Sequence, residues 1–346
     1  MRLTLLTIFI FFNLTFSFSQ SKIYLDLQDR LVDRAVFDAP VVAQVVTANA
    51  YVKEGLKQVG NACYFKLDKS VCSAIVATKP KVIRLQIPYG TEGKQFTLLL
   101  YEKNILTPNC VVETSDGRKL KPGKAAFYRG IIEGEPHSLA GISFYPDNMS
   151  GIISSDTEGM YDLGKMTDKD FITVYDAKTL GFQPNMDCHT VDTPDNDTDQ
   201  NSLETRDNGD CVRVWFDADY ELYQNKGGVN QTEDYITGFF NNTSIIYDNE
   251  SINTMIGHFY IWTTPDPFPT DNSNNVLNTY TNLRTDLQGD ADLAHLVGLG
   301  GNGLGGIAWL NVLCGNNHFH AYSDIDPNYN NFPNYSWTVE VVTHEM

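Results

Sequence analysis

Apolar and polar residues alternate with a period of two over residues 81–87 (KVIRLQI), and the run stops at Pro88. That periodicity is the mark of a strand with one buried face. Residues 97–101 (TLLLY), 127–132 (FYRGII), 139–145 (LAGISFY) and 150–153 (SGII) are further strand candidates, with turn residues between them. Short strands spaced about ten residues apart predict an antiparallel β unit. Residues 20–189 are therefore expected to form a β-rich antiparallel domain.

The pattern changes after residue 210. Residues 211–219 (CVRVWFDAD) and 255–262 (MIGHFYIW) read as strands. Between them, residues 232–247 place Ile236, Phe239, Phe240, Ile245 and Ile246 at helical spacing, with Gly238 as the one breaker. Residues 275–287 form a second amphipathic pattern through Val276, Leu277, Tyr280, Leu283 and Leu287. Short strands are predicted at 293–297 and 306–310. A final helix is predicted over 337–346, with Ser336 as its N-cap. Strands alternating with helices imply a mixed, mainly parallel sheet carrying helices, so residues 211–346 are expected to be an α/β domain. The glycine-rich run 298–306 precedes a strand rather than a helix, which makes it a poor phosphate cradle.

Residues 190–210 (TVDTPDNDTDQNSLETRDNGD) have almost no apolar side chains. Lying between two differently patterned halves, they read as an exposed linker at a domain boundary, open to proteolysis, rather than a plain surface loop.

Length and composition fit two packed domains. The chain has 346 residues, 42% of them hydrophobic and 12% aromatic. Its net charge of −18, from 25 basic and 43 acidic residues, argues against nucleic acid as a partner, because phosphates need clustered Lys and Arg. Residues 1–19 read as a signal peptide: Arg2, an apolar stretch over 3–18, then small residues at Ser17 and Ser19. The alternative is a membrane anchor. The stretch is short and no second apolar run of 18 residues follows, which favours export and a secreted product without a membrane span. Disulfides are permitted outside the cell. Six cysteines are present (Cys63, Cys72, Cys110, Cys188, Cys211 and Cys314), with Cys63 and Cys72 the easiest local pair.

Two separated regions carry a family resemblance. "YRGIIEGEPHSLAGISFYPDNMSGII" (128–153) resembles the core of the propeptide of reprolysin (adamalysin) zinc proteases. "DLAHLVGLG" (292–300), "GGIAWLNVLC" (305–314) and "VVTHEM" (341–346) stand in the order of the same family's catalytic domain. The resemblance covers most of residues 80–346. It implies a metzincin: a Zn2+-dependent endopeptidase, acting on protein or peptide substrates and made as a latent precursor. The full signature is H-E-x-x-H-x-x-G-x-x-H with a Met-turn. Only His344 and Glu345 of that signature are present, so the chain is expected to be a fragment, inactive alone, whose catalytic domain stops short of the second zinc ligand.

The resemblance assigns His344 as a zinc ligand and Glu345 as the general base. Two His at i and i+4 of a helix can reach one metal, which keeps a further position for water, and an adjacent Glu can take that water's proton. Gly306, Ile307, Ala308 and Trp309 resemble the edge strand that holds an extended substrate; an ordinary core strand is the other reading. Cys188 is either a thiolate switch that fills the water position or half of a structural disulfide. Cys314 would pair with a cysteine after the active-site helix or with Cys211. His318 and His320 form an H-x-H that suits either a metal or a polar loop, and His295 reads as packed structure. Two competing functions remain: a catalytically dead protease-like secreted domain that binds proteins, and a β-rich surface protein with a chance His-Glu. The latter predicts no strand–helix alternation after residue 210.

Overall fold

The computed structural model describes residues 21–32, 34–46, 59, 62–90, 93–167, 169–180, 211–285, 287, 291–299, 305–310, 318–326, 328–329 and 332–346. The predicted signal peptide and the acidic linker lie outside these residues.

The alternating runs of the first half become a ten-stranded sheet. Its strands are β1 (Phe37–Ala39), β2 (Val42–Val45), β3 (Cys63–Leu67), β4 (Val82–Tyr89) and β5 (Lys94–Glu102). Two strands then leave for a second sheet, β6 (Leu106–Thr114) and β7 (Lys119–Leu120). The first sheet resumes with β8 (Ala126–Ile132), β9 (Glu135–Tyr145), β10 (Asn148–Ser155), β11 (Gly159–Lys165) and β12 (Ile172–Asp176). The order is β1-β4-β5-β8-β9-β10-β11-β12-β3-β2. The β1–β4 pair is parallel and the others are antiparallel. Strand β4 runs through Pro88 rather than stopping there. Its neighbour β1 pairs only as far as Leu85, so Pro88 sits where that side of β4 has no strand to bond.

Helix α1 (Lys22–Leu31) lies on one face of this sheet, with Ile23 and Leu27 against Leu99, Tyr101 and Ile131. The other face packs Leu85, Leu98, Tyr128 and Phe144 with Ile75 and Val76 of α2 (Lys69–Thr78). Asp68 starts α2 by accepting hydrogen bonds from the backbone N–H of Ser70 and Val71, a regular N-cap.

The second half forms a seven-stranded sheet from β13 (Val212–Ala218), β14 (Thr254–Ile261), β15 (Leu293–Gly298), β16 (Gly306–Ala308) and β17 (His320–Asp324), joined by β6 and β7. Its order is β16-β17-β15-β13-β14-β6-β7. The five inner strands run parallel, and β16 and β7 are antiparallel edges. The helices are α3 (Tyr220–Lys226), α4 (Val229–Asn249), α5 (Ser273–Leu283) and α6 (Tyr335–Glu345), with a short hairpin of β18 (Asn328–Tyr329) and β19 (Phe332–Pro333) before α6. Mixed sheets with helices are thus present, and the strand–helix alternation after residue 210 removes the purely β-rich reading. Strand β6 comes from the first half yet pairs along β14, Val112 opposite Phe259 and Glu113 opposite Tyr260.

Helix α4 is the joint between the two sheets. Ile236, Phe239 and Phe240 pack on Val214, Phe216, Ile256 and Phe259 of the second sheet. Its other side carries buried Asn241, Ser244 and Asp248 toward the first sheet. Arg129 of β8, 1% exposed, donates to Asp248 Oδ2 (3.2 Å), Ser244 Oγ (2.7 Å) and Asn241 Oδ1 (3.4 Å). Lys22 and Lys103 also face Asp248, and these cations hold its carboxyl below the usual range against the opposing effect of burial. A buried charge needs such partners.

Candidate active site

Helix α6 carries the His-Glu pair. It begins at Tyr335, so Ser336 lies inside its first turn and is not the N-cap expected from the sequence. The N-cap position is Asn334, whose side chain makes no capping bond. The reason is a carboxylate from far away. Asp162 of β11, fully buried, accepts from the Ser336 backbone N–H (3.0 Å) and from Ser336 Oγ (2.8 Å). Farther along, Thr338 Oγ1 lies 2.6 Å from Tyr235 Oη, and Tyr247 Oη donates to the Thr343 carbonyl at 2.9 Å. Trp337, Val339, Val341 and Val342 bury the inner face.

Consecutive helix residues point about 100° apart, and the pair divides accordingly. His344 is exposed, while Glu345 is 4% exposed. Glu345 Oε1 is buried without a hydrogen-bond partner. Burial pushes the Glu345 carboxyl up to about 7, with His344 opposing that rise. A carboxyl near 7 can hold or release a proton at neutral pH, the property a general base needs.

Glu345 sits against Gly306. A Cβ at residue 306 would lie 2.4 Å from Glu345 Oε1 and 2.5 Å from its Cγ, so only glycine leaves room for the carboxylate there. Gly306 belongs to β16, which pairs with β17 on one side and forms the edge of the sheet on the other. The fold therefore brings together Glu345 and the predicted edge residues Gly306, Ile307 and Ala308. Trp309 follows the strand; its backbone N–H donates to the His320 carbonyl (3.3 Å) and its Nε1 to Thr281 Oγ1 (3.1 Å).

The remaining candidates separate. His318 is exposed against the Trp309 ring, whereas His320 is buried and donates from Nε2 to the Arg284 carbonyl at 2.7 Å. His295 Nε2 lies 2.8 Å from Ser323 Oγ, and burial pushes it down to about 3, as suits a packed neutral residue. Cys63 and Cys72 are free buried thiols, so the local bridge expected between them is absent; Cys110 and Cys211 are also free. Burial, which disfavours the thiolate, raises Cys63 to about 11 and Cys72 to about 12. Cys188 and Cys314 lie outside the described residues.

Several buried carboxylates carried no signal in the sequence, and two of them organise the second half. Asp162 is one. Asp217 is the other: it accepts from Trp215 Nε1 (2.8 Å), Tyr280 Oη (2.9 Å), Trp262 Nε1 (3.3 Å) and Arg284 (2.6 Å). Arg284, which reaches Asp217, is the C-cap of α5.

With this geometry in place the family can be named. Residues 208–346 match the family model Reprolysin_5, metallo-peptidase family M12. Over these residues, about two fifths of the chain, the sequence is similar to family M12 metallopeptidases. The metalloprotease resemblance read from the sequence is borne out here. The chain is similar, over 70% of its length, to the crystal structure of metalloproteinase-II from Bacteroides fragilis, with TM-score 0.41, 13% identity and 74% of that chain covered. It is also similar to a structure of a chaperone-substrate complex, with TM-score 0.28 and 10% identity, over 75% of this chain and 50% of that one. No curated protein matches it in sequence.

Proposed function

We propose that this chain is the precursor form of an exported, zinc-dependent endopeptidase of metzincin type, with His344 as a zinc ligand and Glu345 as general base. One observation supports the reading most: the buried carboxylate of Glu345, one oxygen unpartnered, lies against the edge strand that would hold a peptide. Catalytic zinc takes three protein ligands. Among the described residues no group of three or more His, Cys, Asp or Glu is placed to hold a metal. His344 therefore fits zinc as one ligand of a set, and the other ligands must come from outside the described residues. When bound, the metal lowers the pKa of its water toward roughly 7.

The chain's own residues do the rest. The free edge of β16 offers backbone N–H and C=O groups to an extended peptide. Glu345 takes a proton from the attacking water onto its carboxylate and returns it to the leaving amine. Gly306 keeps the space for that carboxylate. Cys188 is proposed as the group that blocks the site before the acidic segment is cut. Among the described residues no helix is long and apolar enough to cross a membrane.

With one His ligand among the described residues, the 346-residue chain is expected to bind zinc weakly and to hydrolyse no peptide. Zinc titration by calorimetry and a fluorogenic peptide library test this. Turnover by the purified chain that disappears in Glu345→Gln would overturn the inactivity while supporting the base. In a protein joining this segment to the further ligands, Glu345→Gln should abolish turnover and leave zinc bound. Full activity in that variant would sink the assignment.

A further inference from the structure

The start of α6 is held by the first sheet rather than by its own residues. Asp162 accepts two hydrogen bonds from Ser336, as described above. Tyr175 of β12 lies 3.0 Å from Asp162 Oδ2 and 2.6 Å from the Pro333 carbonyl. Gly164, two residues after Asp162, stands where a Cβ would come within 3.0 Å of both Pro333 and Tyr335. The first sheet is thus shaped to receive the entry of this helix, by a close approach at Gly164 and by two polar anchors at Asp162 and Tyr175. At the other end of the same helix, Glu345 fills the room left by Gly306.

We propose that Asp162 is a positioning residue for the second half of the molecule: by capping α6 through Ser336 it fixes the height at which Glu345 meets the edge strand at Gly306. The four N–H groups of a helix's first turn have no partner within the helix, and a carboxylate there satisfies them and complements the dipole. Here that carboxylate comes from a strand 174 residues earlier in sequence. A helix is a stiff rod rising 1.5 Å per residue, so a shift at its first turn is carried to its last. The region resembling a propeptide therefore builds part of the site's frame. The word positioning rests on the reading of α6 as the active-site helix; the cap itself does not.

The test is a double-mutant cycle on the full chain. Ser336 and Glu345 are nine residues apart, roughly 14 Å along the axis, and changes at independent sites that far apart should add. Gly306→Ala pushes on Glu345 and should lower Tm by several degrees in the native background. In Asp162→Ala, where α6 is free to slide, the same substitution should cost less than half as much. Hydrogen exchange at residues 336–338 should rise at least tenfold in Asp162→Ala, with amides of β8 and β9 unchanged. Asp162→Asn retains an acceptor and should fall between the two, which keeps the test usable if the alanine variant does not fold. Equal Tm losses from Gly306→Ala in all backgrounds would overturn the proposal, because a merely local cap predicts additivity. The cycle reads stability alone, so it would stand even if Glu345→Gln left full activity in a protein carrying the further ligands, a result that would sink only the protease reading.

Discussion

The two sheets are held together by different means. The first is antiparallel, and most of its strands pair with neighbours close in sequence: β8, β9, β10, β11 and β12 follow one another in order. Its inner face is an uninterrupted apolar cluster. The second is parallel, so its strands need long crossovers and its partners are far apart in sequence. It buries several polar groups, each with a specific role: Asp217 beneath Trp215, Trp262, Tyr280 and Arg284, and His295 on Ser323. It also borrows from the first half a strand (β6), a counter-charge (Arg129) and a helix cap (Asp162). The dependence is unequal rather than one-sided: Arg129 of the first sheet needs Asp248, Ser244 and Asn241 of the second half, but only the second sheet takes a strand and a helix cap from the other.

Arg129→Met should break that arrangement most severely. The substitution leaves Ser244 and Asn241 without a donor and Asp248 with only Lys22 and Lys103. Removing one partner of a buried ion pair costs about 3–5 kcal/mol. Differential scanning calorimetry should show a large fall in Tm. Hydrogen exchange should rise in α4 and the second sheet before it rises in β4, β5 and β8. First-sheet amides opening earlier would reverse the comparison.

The same contrast decides what could be seen in the sequence. Strands β4, β5, β8, β9 and β10 were legible because their partners are local and their alternation reports a single buried face, whereas β1, β2, β3, β11 and β12 were not read. Only Pro88 misled, since the shortness of β1 is not written near it. Most strands and helices of the second half were legible as elements, though α3 and β17 were not read, and their assembly was not legible. Nothing in residues 106–114 says that their partner lies at residues 256–261. Asp162 sits in "MYDLGK" and Arg129 in "YRGII", where a charged residue reads as solvent-facing; each is buried because a helix from the other half covers it. Gly238 looked like a flaw in a helix. It is a clearance instead, because a Cβ there would stand 2.8 Å from Ser150 Oγ and 3.1 Å from Tyr335. At the candidate site, His344, Glu345 and Gly306 came from the family resemblance. The carboxylate that caps their helix is a long-range contact that neither pattern nor motif contains.

A second, smaller effect tests the joint by pH. Burial raises the Asp162 carboxyl from 3.8 to about 6. The hydrogen bonds that Asp162 accepts from Ser336 and Tyr175 pull the other way, and burial outweighs them. The folded state then binds the proton more tightly than the unfolded state. Its contribution is full below about pH 4 and is lost as pH rises through about 6, a change of about 2–3 kcal/mol. Asp219, Glu233 and Asp234 are also raised by burial, so the quantity to measure is the difference between native protein and Asp162→Asn across pH 4–7. A flat difference would show that the cap is ionised throughout that range.

The smallest effect belongs to the residue with the largest proposed role. His344 is exposed near the end of α6, where a basic side chain gains only a few tenths of a kcal/mol from the helix dipole. Alanine is the better helix former, which offsets that loss. His344→Ala should therefore change stability by no more than about 0.5 kcal/mol, the usual range for surface sites. In the same variant, any zinc affinity of the chain should fall sharply. Buried Asp162 and Arg129 show the opposite profile, with large effects on stability and none on zinc except through the fold. A large loss of stability in His344→Ala, at unchanged zinc affinity, would place His344 among the structural residues and remove it from the metal site.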